Sequence, residues 1–130
     1  MVEVELSKII IDEKRTEQLI VLKEKEGERV LPIIIGIAEA SSIRLQLSGF
    51  KPPRPLTHDL LKSVIEKLGA KLEKVVIDNL KDDTFYAKLH FVKNGTKVIV
   101  DARPSDSIAL AVRTGSPIFV EDEVLNKVQF

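Results

Sequence analysis

The chain of 130 residues shows one order of patterns twice: three strand-like segments followed by a helical segment. Apolar residues alternate with polar ones in strands and recur every three or four residues in helices. The first set covers residues 2–49 and the second covers residues 72–115, with another helical pattern over residues 57–69 between them. The sequence therefore predicts a single α+β domain over residues 1–130. In it a linking helix joins two β-β-β-α repeats, and the sheets are mostly antiparallel.

Local similarities between the two sets point to an internal duplication. The hairpin at residues 25–30 parallels residues 93–98, and the helical pattern at residues 42–47 parallels residues 107–112. The spacing between these matches differs by three residues between the halves, which indicates a small insertion in one of them. The alternative is chance, since hairpins and amphipathic helices resemble one another.

Several residues predict finer details. Asn94-Gly95 is a strong signal for a two-residue hairpin turn. Pro32 has no backbone N–H, so the third strand lies at a sheet edge or leaves that position unpaired. The helix after Pro104 is apolar nearly all round and should be buried. Thr57 is the expected N-cap of the linking helix. That helix carries one apolar face, formed by Leu60, Leu61, Val64, Ile65 and Leu68.

Charge and composition argue against several classes of protein. The 20 basic residues balance the 20 acidic ones, whereas dedicated duplex-DNA binders usually carry a basic excess. The chain has no cysteine, which rules out disulfides and cysteine metal sites and agrees with a cytoplasmic location. No apolar run approaches the roughly 18 residues of a membrane span, and the chain starts with a strand pattern rather than a signal peptide. Its high charge and few amides favour a heat-adapted source.

Three junctions that lead into helices hold the candidate functional residues. They are residues 36–42, 54–59 and 101–107. Helix N-termini present free N–H groups and the positive end of the helix dipole, so each junction could bind an anion. The guanidinium groups of Arg54 and Arg103 suit phosphate or carboxylate. The structural alternative is that these arginines pair with nearby aspartates and that Thr57, Ser105 and Asp106 only cap helices.

Proton transfer and metal binding have fewer candidates. His58 beside Asp59 could act as a base or a metal ligand, or be an ordinary solvated residue. The carboxylates best suited to Mg²⁺ or Mn²⁺ are Glu39, Asp59, Asp101 and Asp106. Motifs of serine hydrolases, phosphate-binding loops and zinc proteases are missing. With no Trp and one Tyr, the chain also lacks a base-stacking platform.

Long motifs in a fixed order resemble those of the bifunctional nuclease family. They lie at residues 31–40, at residues 54–61 (Arg-Pro-Leu-Thr-His-Asp-Leu-Leu) and at residues 103–112 (Arg-Pro-Ser-Asp-Ser-Ile-Ala-Leu-Ala-Val). Residues 82–87 and 115–120 fit as well, so the resemblance covers essentially the whole chain. The family takes its name from a plant member credited with both DNase and RNase activity.

The resemblance implies an α+β fold with internal duplication that forms a homodimer or a higher homo-oligomer, without an organic cofactor. It also implies metal-dependent hydrolysis of phosphodiester bonds in DNA and RNA. The motif positions then suggest roles: His58, Asp59 and Asp106 for catalysis, Arg54, Thr57, Arg103 and Ser105 for phosphate, and Glu39, Asp59 and Asp106 for Mg²⁺ or Mn²⁺. The alternative is a non-catalytic binding or assembly module with an anion site, which the neutral charge and the missing stacking residues favour.

Overall fold

Each half of the chain folds as three consecutive antiparallel strands followed by a helix. The structure is a computed structural model that describes residues 1–129. Its elements, in chain order, are β1 (Val2–Ile10), β2 (Glu17–Glu24), β3 (Val30–Gly36), α1 (Ile37–Leu47), α2 (Thr57–Lys67), β4 (Lys71–Lys81), β5 (Thr84–Lys93), β6 (Thr96–Ala102), α3 (Pro104–Thr114), β7 (Ile118–Val120) and α4 (Asp122–Lys127).

All seven strands belong to one sheet with the order β3-β2-β1-β7-β4-β5-β6. The short strand β7 lies between the two halves, antiparallel to β1 and parallel to β4. Every other pairing is antiparallel. The predicted α+β class, with mostly antiparallel strands, is confirmed. The central position of β7 was not anticipated.

Two-residue turns close both hairpins of the second half. Asn94 and Gly95 have φ angles of 50° and 76°, so the hairpin predicted there is confirmed. Asp82 and Asp83 have φ angles of 52° and 61° in the equivalent turn between β4 and β5. Left-handed backbone at both turn positions is the geometry that matches the twist of the flanking strands.

The helix α3 supplies much of the core. Ile108, Ala109 and Leu110 are fully buried, as the apolar pattern predicted. Pro104 occupies the first turn, where its missing N–H costs nothing. Gly115 ends the helix in the left-handed conformation with φ of 71°.

The linking helix α2 differs from its prediction in two ways. Its N-cap is Leu56 rather than Thr57, because the Asp59 carboxylate already accepts the Leu56 N–H at 3.0 Å. Its apolar residues are mostly uncovered: Ile65 packs against the core, whereas four others are exposed, namely Leu60, Leu61, Val64 and Leu68. None of the helices within residues 1–129 has the length and apolar character needed to cross a membrane.

Candidate functional site

Five polar side chains from α1, α2 and the start of α3 are joined by hydrogen bonds. We call them the polar cluster: Glu39, Ser42, His58, Arg103 and Asp106. Two of the three predicted junctions, residues 36–42 and 101–107, lie beside each other in it because α1 packs against α3. The third contributes His58 from the first turn of α2.

The centre of the polar cluster is His58, which is buried. Its Nδ1 lies 2.7 Å from the Ser42 hydroxyl oxygen, and its Nε2 lies 2.9 Å from Oδ1 of Asp106. An ionised carboxylate can only accept, so Nε2 carries a proton and donates it to Asp106. In the neutral imidazole Nδ1 then accepts the hydrogen bond of the Ser42 hydroxyl. Asp106 thus selects the tautomer in which His58 can take a proton from Ser42.

Arg103 donates hydrogen bonds to the second carboxylate oxygen of Asp106. Its Nε and Nη2 donate to Oδ2 of Asp106 at 2.9 and 2.7 Å, and Nη2 also donates to Glu39 at 3.1 Å. The Arg103 side chain is nevertheless 68% exposed. Its Nη1 donates to no protein atom within the described residues. The polar cluster therefore presents a fixed guanidinium with free N–H groups to solvent.

Asp106 stays ionised despite its partial burial. Burial opposes ionisation, but the hydrogen bonds from His58 and Arg103 and the charge of Arg103 outweigh it and lower the Asp106 pKa. The hydrogen bonds to Asp106 and the negative charge of that carboxylate, with smaller contributions from Glu39, raise the pKa of Arg103. The cluster thus keeps an ionised carboxylate in hydrogen-bond contact with the imidazole of His58.

A second ion pair fixes the backbone behind the polar cluster. Arg113, whose side chain is only 3% exposed, donates to Asp59 at 2.8 Å. It also donates to the carbonyl oxygens of Ala109 and Ser42, at 3.0 and 3.3 Å. The hydrogen bond and charge of Arg113 lower the pKa of Asp59. Arg113 thereby ties α3 to α2 and to the segment of α1 that carries Ser42.

The remaining predicted site residues lie at different distances from this centre. Ser105 is buried next to Arg103, and both line a shallow groove that also includes Gly36. Arg54 and Thr57 are exposed, and within residues 1–129 neither joins the hydrogen bonds of the polar cluster. Asp59 pairs with Arg113 and does not join Glu39 and Asp106 in the polar cluster.

The three carboxylates predicted to hold Mg²⁺ or Mn²⁺ do not form one ligand group. Glu39 and Asp106 share Arg103, but Asp59 pairs with Arg113. The described part of the chain contains no group of three His, Asp or Glu side chains placed to share a metal ion. Since each of these carboxylates already pairs with an arginine, the residues present do not fit the predicted metal site.

Sequence reasoning missed Ser42 and Arg113. Ser42 lay in the predicted junction of residues 36–42 and matched Ser107 in the repeat, but no role was assigned to it. Its position before α2 in the chain gives no sign of contact with His58. Arg113 had a usable signal, because it is a lone basic residue at the end of an otherwise apolar helix. Such residues are rarely buried without a charged partner.

Comparison with known proteins places the chain in a family. The family model described as the bifunctional nuclease domain matches residues 20–130. An uncharacterised protein of Mycobacterium tuberculosis is 46% identical over 125 residues, which are 96% of this chain and 74% of that protein. Bifunctional nuclease 1 of Oryza sativa subsp. japonica is 30% identical over 81% of this chain, and bifunctional nuclease 2 of Arabidopsis thaliana is 31% identical over 78%. The chain spans 33% and 32% of the lengths of these plant proteins. The chain belongs to the bifunctional nuclease domain family.

Proposed function

We propose that the chain hydrolyses phosphodiester bonds in DNA and RNA, with the polar cluster as its active site. The observation that carries this proposal is the hydrogen-bond chain from Asp106 through His58 to the Ser42 hydroxyl. A nucleophile within hydrogen-bond reach of a base, with a third group orienting the base, is the arrangement that activates a serine. The plant relatives named bifunctional nucleases support phosphodiesters as the substrate class.

The proposed reaction has two displacement steps. His58 takes the proton of Ser42 while the serine oxygen attacks phosphorus, and the bond from phosphorus to the leaving sugar oxygen breaks. The protonated His58 returns the proton to that leaving oxygen. Water then attacks phosphorus of the phosphoserine while His58 accepts its proton, and the bond from phosphorus to the serine oxygen breaks. His58 returns the proton to that oxygen, which releases the phosphate product and restores the Ser42 hydroxyl. Asp106 stabilises the imidazolium in both steps.

Arg103 and Glu39 govern phosphate binding in this proposal. The free N–H groups of Arg103 point to solvent and suit a non-bridging phosphate oxygen. Glu39 accepts from Nη2 of the same guanidinium, so its negative charge lies beside the free N–H groups of Nη1 and opposes a phosphate bound there. Replacing Glu39 by Gln should therefore lower KM, whereas replacing Arg103 by Ala should raise it.

Divalent metal dependence stays a prediction from the sequence, and no step above uses a metal ion. It is assayed separately, by comparing cleavage in EDTA with cleavage in Mg²⁺ or Mn²⁺. Cleavage that persists in EDTA agrees with the polar cluster acting alone.

The test is cleavage of labelled single- and double-stranded DNA and RNA by the purified chain. Ser42→Ala and His58→Asn should each lower kcat by about 10²–10⁴-fold, the usual worth of a proton-transfer group. Ser48→Ala is the matched control, because Ser48 lies exposed at the end of the same helix and should leave kcat unchanged.

Two results would contradict the proposal. One is a wild-type chain that leaves all four substrates intact in every metal condition. The other is a Ser42→Ala variant that cleaves at the wild-type rate. Binding of nucleic acid or nucleotides without cleavage, lost on Arg103→Ala, would instead support the non-catalytic anion-binding alternative.

A further inference from the structure

The sheet ends in two open edges, β3 on one side and β6 on the other. An open edge offers unpaired N–H and C=O groups to any other strand, and folded proteins usually block such edges. The two edges of this chain differ sharply in this respect.

The β3 edge is blocked by its own chain. The Gln129 side chain donates to the Val30 carbonyl and accepts its N–H, so the backbone groups of Val30 point to the open side. Two residues further on, Pro32 points the same way and has no N–H to offer. A strand added at β3 would find the backbone groups of Val30 already bonded to Gln129, and it would find no N–H donor at Pro32.

The β6 edge is not protected in this way. It contains no proline, and six of its seven residues are exposed. Apolar side chains lie on both of its faces: Val98 and Val100 on one, and Ile99 on the other. Ile99 is 59% exposed, close to the 63% of Ile34 on the blocked edge. A strand apolar on both faces is typical of the interior of a sheet rather than its edge.

The hydrogen-bonding directions of β6 follow from its turn. A two-residue turn makes its flanking pair, Lys93 and Thr96, a hydrogen-bonded pair. Hydrogen-bonded and non-hydrogen-bonded pairs alternate along an antiparallel ladder. The N–H and C=O groups of Lys97, Ile99 and Asp101 therefore point away from β5, toward the open edge.

The sequence of β6 is complementary to itself in the antiparallel direction. If a twofold axis passes beside Ile99, Ile99 faces its own copy and Val98 faces Val100 of the other chain. Lys97 then faces Asp101, twice. All three outward-pointing residues pair with outward-pointing residues, so their N–H and C=O groups can form ladder bonds. Opposite charges directly across a strand pair stabilise it, and like charges destabilise it.

We propose that two copies of the chain associate through β6, antiparallel about a twofold axis at Ile99. The dimer joins two seven-stranded sheets into one continuous sheet and leaves the blocked β3 strands at its ends. This interface is independent of the proposed nuclease activity, because β6 contributes no residue to the polar cluster.

The first test uses the absence of cysteine from the chain. Ile99→Cys places two thiols on the axis at a Cα separation of about 5.5 Å, which a disulfide can span. Mild oxidation should convert this variant to a covalent dimer. Ile34→Cys is the matched control, an equally exposed isoleucine on the blocked edge, and should remain uncrosslinked. Crosslinking of Ile34→Cys to the same extent would overturn the proposal.

The second test exchanges charges at the interface and measures the dimer dissociation constant by analytical ultracentrifugation. Lys97→Asp sets aspartate against Asp101 at both ends, and should weaken the dimer by at least tenfold. Adding Asp101→Lys restores opposite charges and should recover most of the affinity. Circular dichroism verifies that the variants fold, as expected for exposed positions. A wild-type chain that stays monomeric at high concentration, or a Lys97→Asp variant of unchanged affinity, would refute the interface.

Discussion

The two carboxylate oxygens of Asp59 accept hydrogen bonds from two different residues. One accepts the N–H of Leu56 at the start of α2, and the other pairs with the buried Arg113. Removing the carboxylate leaves a buried guanidinium without its partner, which is the costly way to break such a pair. The start of α2 is thus stabilised by the side chain of Asp59, and not by that of Thr57, which was expected to cap it.

We predict that Asp59→Ala lowers the free energy of unfolding by about 3 kcal/mol. The neighbouring change Thr57→Ala should stay within about 0.5 kcal/mol, because Thr57 is exposed and is not the cap. Urea unfolding of both variants at neutral pH measures the difference. Equal losses for the two variants would mean that Thr57 does cap the helix.

The loss of stability in Asp59→Ala should also depend on pH. The pKa of Asp59 is lowered in the folded chain, so its contribution is fully present above the unfolded value of about 3.9 and declines as the pH falls through the folded value. The stability difference between wild type and Asp59→Ala should accordingly shrink as the pH falls below about 4.

At the scale of single residues, the sequence could not predict contacts between side chains that are far apart along the chain. The residue types of the polar cluster were visible, since His58, Arg103 and Asp106 lie in long motifs. Their contacts were not, because His58 is separated by 16 residues from Ser42 and by 48 from Asp106. Whether a carboxylate meets a metal ion or an arginine depends on such contacts, and no spacing rule supplies them.

The helix α2 shows that an amphipathic pattern does not guarantee burial. Its apolar face was evident from the sequence, yet α2 packs chiefly on α3 and leaves much of that face uncovered. Ile65 packs against the core, whereas Leu60 on the same helix is exposed. The stability that an apolar side chain contributes follows the area it removes from water, not its place in a pattern.

We expect Ile65→Ala to cost about 2 kcal/mol, in the range of truncations of packed side chains. Leu60→Ala should cost at most about 0.5 kcal/mol, as for other exposed positions. Thermal or urea unfolding at low protein concentration gives both values. A large loss for Leu60→Ala would show that this face is covered in solution.

Local elements were the most predictable part of the fold. The Asn94-Gly95 turn and the ends of α3 at Pro104 and Gly115 depend on backbone preferences of single residues, which the sequence states directly. The edge position of Pro32 follows from one missing N–H. The burial of helix faces and the pairing of distant strands depend on the rest of the molecule, and there the sequence left alternatives open.

At the scale of the whole molecule, β7 is the element that unites the halves. It has only three residues, but it pairs with β1 on one side and β4 on the other. Val120 is fully buried in a core built from both halves. We therefore expect the two repeats to unfold as one cooperative unit.

Val120→Ala should lower the free energy of unfolding by about 2 kcal/mol. Hydrogen exchange followed by mass spectrometry should show the same decrease in the amides of β2 and of β5. The exposed Val64→Ala is the control and should change neither. A decrease confined to one half would mean that the repeats unfold separately.

The position of β7 in the chain also determines when the sheet can be completed during synthesis. A ribosome makes the six other strands before this one, so each half emerges with a meander whose inner strand, β1 or β4, still lacks its neighbour. Until β7 is available, these strands expose edges that can pair wrongly, within one chain or between nascent chains. The pairing of these two inner strands thus waits for a strand of only three residues.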